Sequence, residues 1–325
     1  MNKSLPLLLP LLSDGQFHSG EIIAASLGVT RTAVWKQLQK LSALGLTVES
    51  VKGRGYRLLG GIELLSLASI RANLLPHNAK YISHIDVLME ASSTNNVAMT
   101  RVLEGKGQGY VCLAEYQSAG RGRRGRQWVS PLGRNLYLSL AWEFEGGVNQ
   151  LEGLSLAVGA ALADTLSDMG LVGLGLKWPN DILLNNRKLA GVLLEIVGDP
   201  AGICQVVVGV GININMPSSV SIDQPWASLS EQLCDVSRNV VAARFLNALV
   251  LLLSQYHQHG FAACLPQWRK LDVFAGKAVN VMFGDRVVEG VANGVLPTGA
   301  LRLLVDGQEQ IIHGGEVSLR LSDAP

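Results

Sequence analysis

The sequence predicts an α+β protein in three parts, and three patterns carry that reading. Apolar residues at helical spacing, followed by a short basic hairpin, occupy the first sixty positions. Strand-like alternation, interrupted by helical runs, fills the middle of the chain. Short alternating runs broken by glycine turns close it. Strands dominate the middle part, which favours a mixed, mostly antiparallel sheet covered by helices. The chain has 325 residues and 48% hydrophobic content, ample for two or three packed domains.

The first part is residues 1–62. Ile22, Ile23 and Leu27 predict a short amphipathic helix that Gly28 stops. Thr30 is placed to cap the next helix, in which Val34, Leu38, Leu41 and Leu44 recur every three or four residues as a buried stripe. The face away from that stripe carries Arg31, Thr32, Lys36, Gln39 and Lys40. TVESV-KGRG-YRLL then reads as two strands joined by a basic glycine turn. Helix, tight turn, second helix and basic hairpin make a winged helix-turn-helix. The second helix would enter a DNA major groove, with Arg31, Thr32, Lys36 and Lys40 on its outer face. Lys52, Arg54 and Arg57 would lie along phosphates. A plain helical subdomain with a solvated basic face shows the same spacing. Charge favours DNA: residues 1–60 hold seven lysines and arginines against three carboxylates, a net +4, which leaves −3 for the rest of the chain.

The opening MNKSLPLLLPLL imitates an export signal, but two prolines interrupt it and no small-x-small cleavage site follows. No apolar run reaches membrane-spanning length, so a cytoplasmic protein without a membrane partner is expected. Cys112, Cys204, Cys234 and Cys264 form no C-x-x-C pair and have no histidine at metal-site spacing. Buried structural thiols, and no metal site, are expected.

The second part is residues 63–270. Gly60-Gly61 leads into a linker and a helix that Pro76 is expected to end. YISHIDVLME, GYVCLAEYQSAG and NLYLSLAWEF alternate as strands. STNNVAMTRVLEG and LEGLSLAVGAALADTLSDMG read as helices. LGLKWPNDILLNNRKLAGVLLEIVG reads as two strands around the turn NNRK, and CQVVVGVGININ as a buried strand. Residues 239–270 read as one long helical tail. The third part, 271–325, is expected to be a small all-β barrel of SH3-like size, with no evident catalytic constellation.

GRGRRGRQW, residues 120–128, stands apart. Gly120, Gly122 and Gly125 spell G-x-G-x-x-G, but a dinucleotide fold needs a helix to open there. Pro131, Gly133 and another strand follow instead. A solvated loop, a nucleic-acid contact and a lid over a small anionic ligand remain. Glycine lets backbone N–H groups approach an anion, and arginine forks bind phosphate or carboxylate with paired bonds.

Five motifs in order decide among these: ASSTNN (91–96), EYQSAGRGRRGRQW (115–128), LKWPNDI (176–182), RKLAGVLLE (187–195) and VVVGVGININ (206–215). Together they closely resemble the biotin-protein ligase family. With the basic amino-terminal part and the terminal barrel, the whole chain resembles its bifunctional bacterial form, also the repressor of the biotin operon. The resemblance implies a class II synthetase-like catalytic fold. It implies biotin contacts at Ser93, Thr94, Asn95 and Gln117, and biotin or phosphate contacts at Arg121, Gly122 and Arg123, with Arg126 less marked. Lys188 is implied to reach the ligand carboxylate and α-phosphate. Asp181 is implied to orient the acceptor lysine, and Asn213 to neighbour the adenylate. Lys188, Arg123 and Asp181 are the implied catalytic set. ATP with Mg²⁺ and biotin are the implied substrates, and biotinyl-5'-AMP the intermediate and corepressor. A biotin carboxyl carrier protein, operator DNA and, when adenylate is bound, a second copy of the chain are the implied partners. A lipoate or octanoate ligase or transferase of similar fold, and a non-catalytic ligand-sensing repressor, stay open as alternatives.

Overall fold

The computed structural model describes residues 5–198, 202–315 and 317–322. Three helices come first: α1 (Leu5–Leu12), α2 (Gly20–Leu27) and α3 (Arg31–Ala43). Ser19 caps α2 by accepting from the Glu21 N–H, Gly28 ends it in the left-handed region, and Thr30 caps α3 by accepting from the Ala33 N–H. The hairpin β1 (Val48–Val51) and β2 (Gly55–Leu58) forms the wing. Gly55 is obligatory there, since a Cβ would fall 2.0 Å from the His18 carbonyl oxygen.

The stretch that imitates an export signal is α1, whose Leu8, Leu9 and Leu12 are buried with Ile23, Val34, Leu38 and Leu41; residues 1–4 of it lie outside the described residues. Of the apolar residues that predicted the amphipathic helix α2, Ile23 is buried and Ile22 is 62% exposed, because Ile23 takes the inward position of a helix only eight residues long.

The linker runs into α4 (Leu67–Ala72) and α5 (Pro76–Ala79). Pro76 begins α5 rather than ending α4: its missing N–H is no loss in a first helical turn. The middle of the chain then builds β3 (His84–Leu88), α6 (Thr94–Leu103), β4 (Tyr110–Ala114), β5 (Leu136–Phe144), α7 (Leu154–Ser167), β6 (Leu174–Lys177), β7 (Asp181–Leu184), β8 (Arg187–Gly198), β9 (Cys204–Ile212), α8 (Arg238–His259) and α9 (Leu265–Leu271). The strands form one seven-stranded sheet, β3-β4-β5-β9-β8-β7-β6, antiparallel except for β3 with β4. The KWPND segment was read as part of one strand. It is a hairpin turn between β6 and β7, so the segment holds three strands rather than two. The helical tail is likewise broken, at Gly260 and before Pro266.

Strand periodicity sorts this sheet into two faces. Val111, Leu113, Leu138, Leu140, Val206, Val208 and Val210 enter the main core beneath α7 and α8. Tyr110, Cys112, Ala141 and Val207 face the other way, against Ala98 and Val102 of α6. Helix α8 is long and apolar enough to cross a membrane by length and composition, but its Phe245, Leu246, Leu249, Val250 and Leu253 are buried in the main core. Cys112 and Cys204 are buried as expected; Cys234 is exposed and Cys264 half-buried, in the turns flanking α8.

The last part is a five-stranded antiparallel sheet of β10 (Ala278–Phe283), β11 (Arg286–Val295), β12 (Leu301–Val305), β13 (Gln308–Ile312) and β14 (Val317–Leu321), ordered β13-β12-β11-β10-β14. Glu316 and residues 323–325 of the expected barrel lie outside the described residues. Its Val279, Val281, Leu301 and Leu303 belong to the same hydrophobic core as the central sheet.

Candidate active site

On the α6 face of the sheet lies a cavity of about 780 Å³. Its floor is almost bare backbone. Residues 207, 209 and 211 of β9 point to this face, and two of the three are glycine. A Cβ at Gly209 would stand 2.0 Å from Asn95 Oδ1, and one at Gly211 would stand 2.4 Å from the Trp128 ring. Gly191, paired with Gly211 across β8 and β9, would bring a Cβ within 3.2 Å of the same ring. The glycines let the Trp128 indole and the Asn95 amide lie down on the sheet.

One end of the cavity is a hydrogen-bonding network. Ser93 starts α6, and its buried side chain makes no capping bond to that helix. The Thr94 N–H donates to Gln117 Oε1 at 2.9 Å, and Gln117 Nε2 donates to Ser130 Oγ at 3.2 Å. Ser139 Oγ lies 2.8 Å from Thr94 Oγ1 and 2.6 Å from Asn95 Oδ1. Asn95 Nδ2 donates to Glu195 Oε2 at 2.7 Å, and Arg121 pairs with Glu195 at 2.9 Å and with Asn96 Oδ1 at 2.5 Å. The structure thus brings Ser93, Thr94, Asn95, Gln117 and Arg121 together, and adds Ser139 and Glu195, which the motifs did not single out. Both stand on the α6 face of their strands, paired with Gly209 and Val207 of β9, the one signal that marks them.

The other end is cationic. Lys188 Nζ sits 2.8 Å from Asp181 Oδ1 and 5.5 Å from the centre of the Trp128 ring. Lys177, the β6 partner of Asp181, lies 3.9 Å from its Oδ2. Burial, the largest influence, holds the Lys177 pKa below the usual lysine range. Asp181 pulls it up, while Lys188, Arg126 and Arg320 press it further down. Lys177 was not singled out by sequence. The terminal part supplies some of the wall, through Phe274 and Lys277 just before its first strand and Arg320 in its last, although that part had no assigned role.

The arginine loop is folded across this cavity. The Gly122 N–H donates to the Arg126 carbonyl at 2.7 Å and the Trp128 N–H to the Gly120 carbonyl at 2.9 Å, while Arg124 adopts a left-handed φ of 57°. Arg123 lines the cavity, but its guanidinium donates to Asn180 Oδ1 at 3.1 Å, to the Val317 carbonyl at 3.2 Å and to the Gly315 carbonyl. Arg124 donates to Ser318 Oγ at 2.8 Å. The loop is therefore pinned to the terminal sheet by two of its four arginines. Asn213 is not on the cavity wall. Its amide donates to the carbonyls of Lys188 at 3.3 Å and Ala227 at 3.2 Å, behind the strand, where it braces the Lys188 backbone. The asparagine follows the last residue of β9, and the cavity is lined by residues 209–211 instead.

A second exposed face lies on the winged helix. Arg31, Thr32, Lys36, Gln39 and Lys40 are all exposed on α3, as are Lys52 and Arg54 in the wing. Arg31 pairs with Glu21 at 3.2 Å, and Arg54 lies 4.1 Å over the Phe17 ring. Arg57 is committed to Glu49 at 2.7 Å, which removes it from the row of phosphate-facing cations. Trp35, overlooked in the sequence, is 51% exposed one turn beyond Arg31.

Comparison with known proteins agrees with this anatomy. Residues 7–57 match an HTH domain, 89–213 the biotin/lipoate A/B protein ligase family, and 274–320 the biotin protein ligase C terminal domain. The chain is 40% identical to the bifunctional ligase/repressor BirA of Escherichia coli over 326 residues, covering 99% of each protein. It is 29% identical to that of Bacillus subtilis, covering 96% of this chain and 97% of the relative. The biotin protein ligase of Aquifex aeolicus, solved with biotin and ATP, superposes with a TM-score of 0.64 at 28% identity, covering 74% of this chain and all of that one. The chain belongs to the biotin protein ligase family, in its bifunctional ligase/repressor form.

Proposed function

We propose that this chain activates biotin with ATP, transfers it to a lysine of a biotin carboxyl carrier protein, and represses biotin biosynthesis from operator DNA when loaded with biotinyl-5'-AMP. In this reading residues 1–62 bind DNA, 63–270 catalyse, and 271–325 complete the site, in the cytoplasm. One observation carries it: a single cavity joins a neutral hydrogen-bonding end at Ser93, Thr94, Asn95 and Gln117 to a cationic end at Lys177 and Lys188. Its volume of about 780 Å³ suits a small molecule joined to a nucleotide.

The chemistry follows from charge. A biotin carboxylate oxygen attacks the α-phosphorus of ATP, and pyrophosphate leaves. Two anions must meet, so Lys188, Lys177 and Arg121 offset the repulsion. Mg²⁺ bound with ATP would add positive charge at this end of the cavity, beside Lys188, Lys177 and Asp181. The mixed anhydride is labile, and the loop 120–128, which lines the cavity from Arg121 to Arg124 and from Arg126 to Trp128, keeps water out. The neutral amine of the acceptor lysine then attacks the acyl carbon, the acyl–phosphate bond breaks and AMP departs, and Asp181, released as Lys188 turns to the phosphate, takes the proton that the amine loses. Arg123 would reach the phosphate by exchanging its carbonyl partners for it.

The test is transfer of biotin by purified protein to a carrier lysine, run with biotin, lipoate and octanoate. Biotin-specific labelling with pyrophosphate release is expected. Labelling by lipoate or octanoate alone would favour the sister activity, and ligand binding without pyrophosphate would favour a bare sensor. Pairing of two adenylate-loaded chains is supported by β8, which runs past the end of β7 from Leu193 and leaves one edge open, next to the exposed Ile196. Sedimentation showing the same monomer with and without biotinyl-adenylate would reject it.

The depressed pKa of Lys177 has a visible consequence. A lysine that must be protonated to hold phosphate loses function as pH rises through its own pKa. The kcat/KM for ATP should therefore fall on the alkaline side earlier than an ordinary lysine allows. Lys177→Arg should push that limb beyond the measurable range. A limb unmoved by this change assigns it to another group.

A further inference from the structure

Within α3 one large apolar side chain stays outside the core. The helix turns Val34, Gln37, Leu38 and Leu41 inward. Trp35 points the other way and is 51% exposed, on the line of Thr32 and Gln39, three residues before it and four after. Arg31 borders this line on one side, Lys36 and Lys40 on the other, and Lys52 and Arg54 of the wing are exposed as well.

A single exposed apolar residue is ordinary on a protein surface. Its setting makes this one informative. Every other exposed residue of α3 from Arg31 to Lys40 is charged or carries a hydroxyl or an amide. A tryptophan among cations suits a partner that is anionic at the rim and apolar at one place in the middle. The core of a protein interface is instead depleted of charge. Duplex DNA has the matching profile: phosphates along both walls of the major groove and, on its floor, the C5-methyl of thymine, the one methyl group among the base edges. Trp35 is also the fifth residue of a helix of thirteen, in the amino-terminal half that meets base edges in this type of docking. Helical side chains lean toward the amino-terminus, which aims the indole at that end.

We infer that Trp35 is a specificity-determining residue that reads thymine: its indole packs on thymine methyl groups in the major groove, while Lys36, Lys40, Lys52 and Arg54 take phosphates. This rests on the winged helix binding DNA, as proposed above. Phosphate contacts raise affinity for every duplex alike, whereas a methyl contact tells one base from another. The indole carries no charge, so it leaves no mark on the dependence of affinity on salt.

The full chain loaded with biotinyl-5'-AMP tests this. Selection from a random-sequence duplex library defines its preferred site. Each thymine of that duplex is then replaced singly by uracil, which lacks only the methyl group. At one or two thymines uracil should weaken binding of the unmodified chain about three- to tenfold. Trp35→Gln should bind the parent duplex about tenfold more weakly with the same salt slope, and should be indifferent to uracil at those positions; Trp35→Phe should keep the discrimination. Low salt keeps a weakened complex measurable. An unmodified chain blind to uracil at every thymine overturns the inference. So does a Trp35→Gln chain that keeps the discrimination, or one that loses affinity equally for the selected site and for random duplex. A chain that enriches no duplex in the selection overturns the DNA reading itself, a result distinct from selective binding that ignores the methyl groups.

Discussion

Lys188→Ala should lower the single-turnover rate of biotin-dependent pyrophosphate release by on the order of 10²-fold or more. The size follows from what the ammonium does in place. It lies 2.8 Å from Asp181 Oδ1 with its side chain only 18% exposed. Removal deletes a cation where two anions must approach. It also leaves the Asp181 carboxylate without its nearest partner, at the end of the cavity that must accept phosphate. The two effects add in the same direction. Lys188→Arg should recover part of the rate at best, because a planar fork cannot take the place of a compact ammonium beside Trp128. A rate for Lys188→Ala within about threefold of the original would remove Lys188 from the chemistry.

Arg238→Met should cost about 3–5 kcal/mol of folding free energy, read as a lower denaturant midpoint. Arg238 and Glu115 are each only 3% exposed on their side chains. Arg238 also donates to the Asn135 carbonyl at 3.1 Å and to the Glu63 carbonyl. The Glu63 carboxylate in turn accepts from Ser237 Oγ at 2.5 Å and Asn239 Nδ2 at 2.8 Å, at the start of α8. Methionine fills much of the volume but strands a buried carboxylate. Pairing the change with Glu115→Gln should return a good part of the loss, since an amide costs far less to bury than an unpaired charge. A double variant no more stable than Arg238→Met would mean that the carbonyl contacts, not the ion pair, hold the linker.

Much of this anatomy was legible because local rules and tertiary structure agree. VVVGVGI shows its two faces by alternation, and the motif residues Ser93, Thr94, Gln117, Asp181 and Lys188 do converge on one cavity. What escaped depends on contacts between distant segments. Ser139 and Glu195 lie inside strands whose neighbours are apolar, and their meeting with Asn95 and Arg121 is set by sheet register. Lys177 owes its character first to burial, and Phe274, which lies against its ammonium, and Arg320, which adds a small push, come from about a hundred or more positions away. Helix α1 carries Pro10, so propensity argued against it, yet burial of Leu8, Leu9 and Leu12 overrides that preference. Asn213 sat in a suggestive motif but stands just past the cavity-lining stretch of residues 209–211.

The bare floor formed by Gly191, Gly209 and Gly211 has a further implication for how this protein tolerates change. None of the three has the left-handed backbone that ordinarily explains an indispensable glycine. None offers a proton, a charge or a lone pair beyond the main chain. Yet a single methyl group at Gly209 or Gly211 would collide with the amide or the indole resting on it. Inertness is the property being used there: these sites are valuable for what they lack, and evolution can be expected to guard them as jealously as the reactive lysine above.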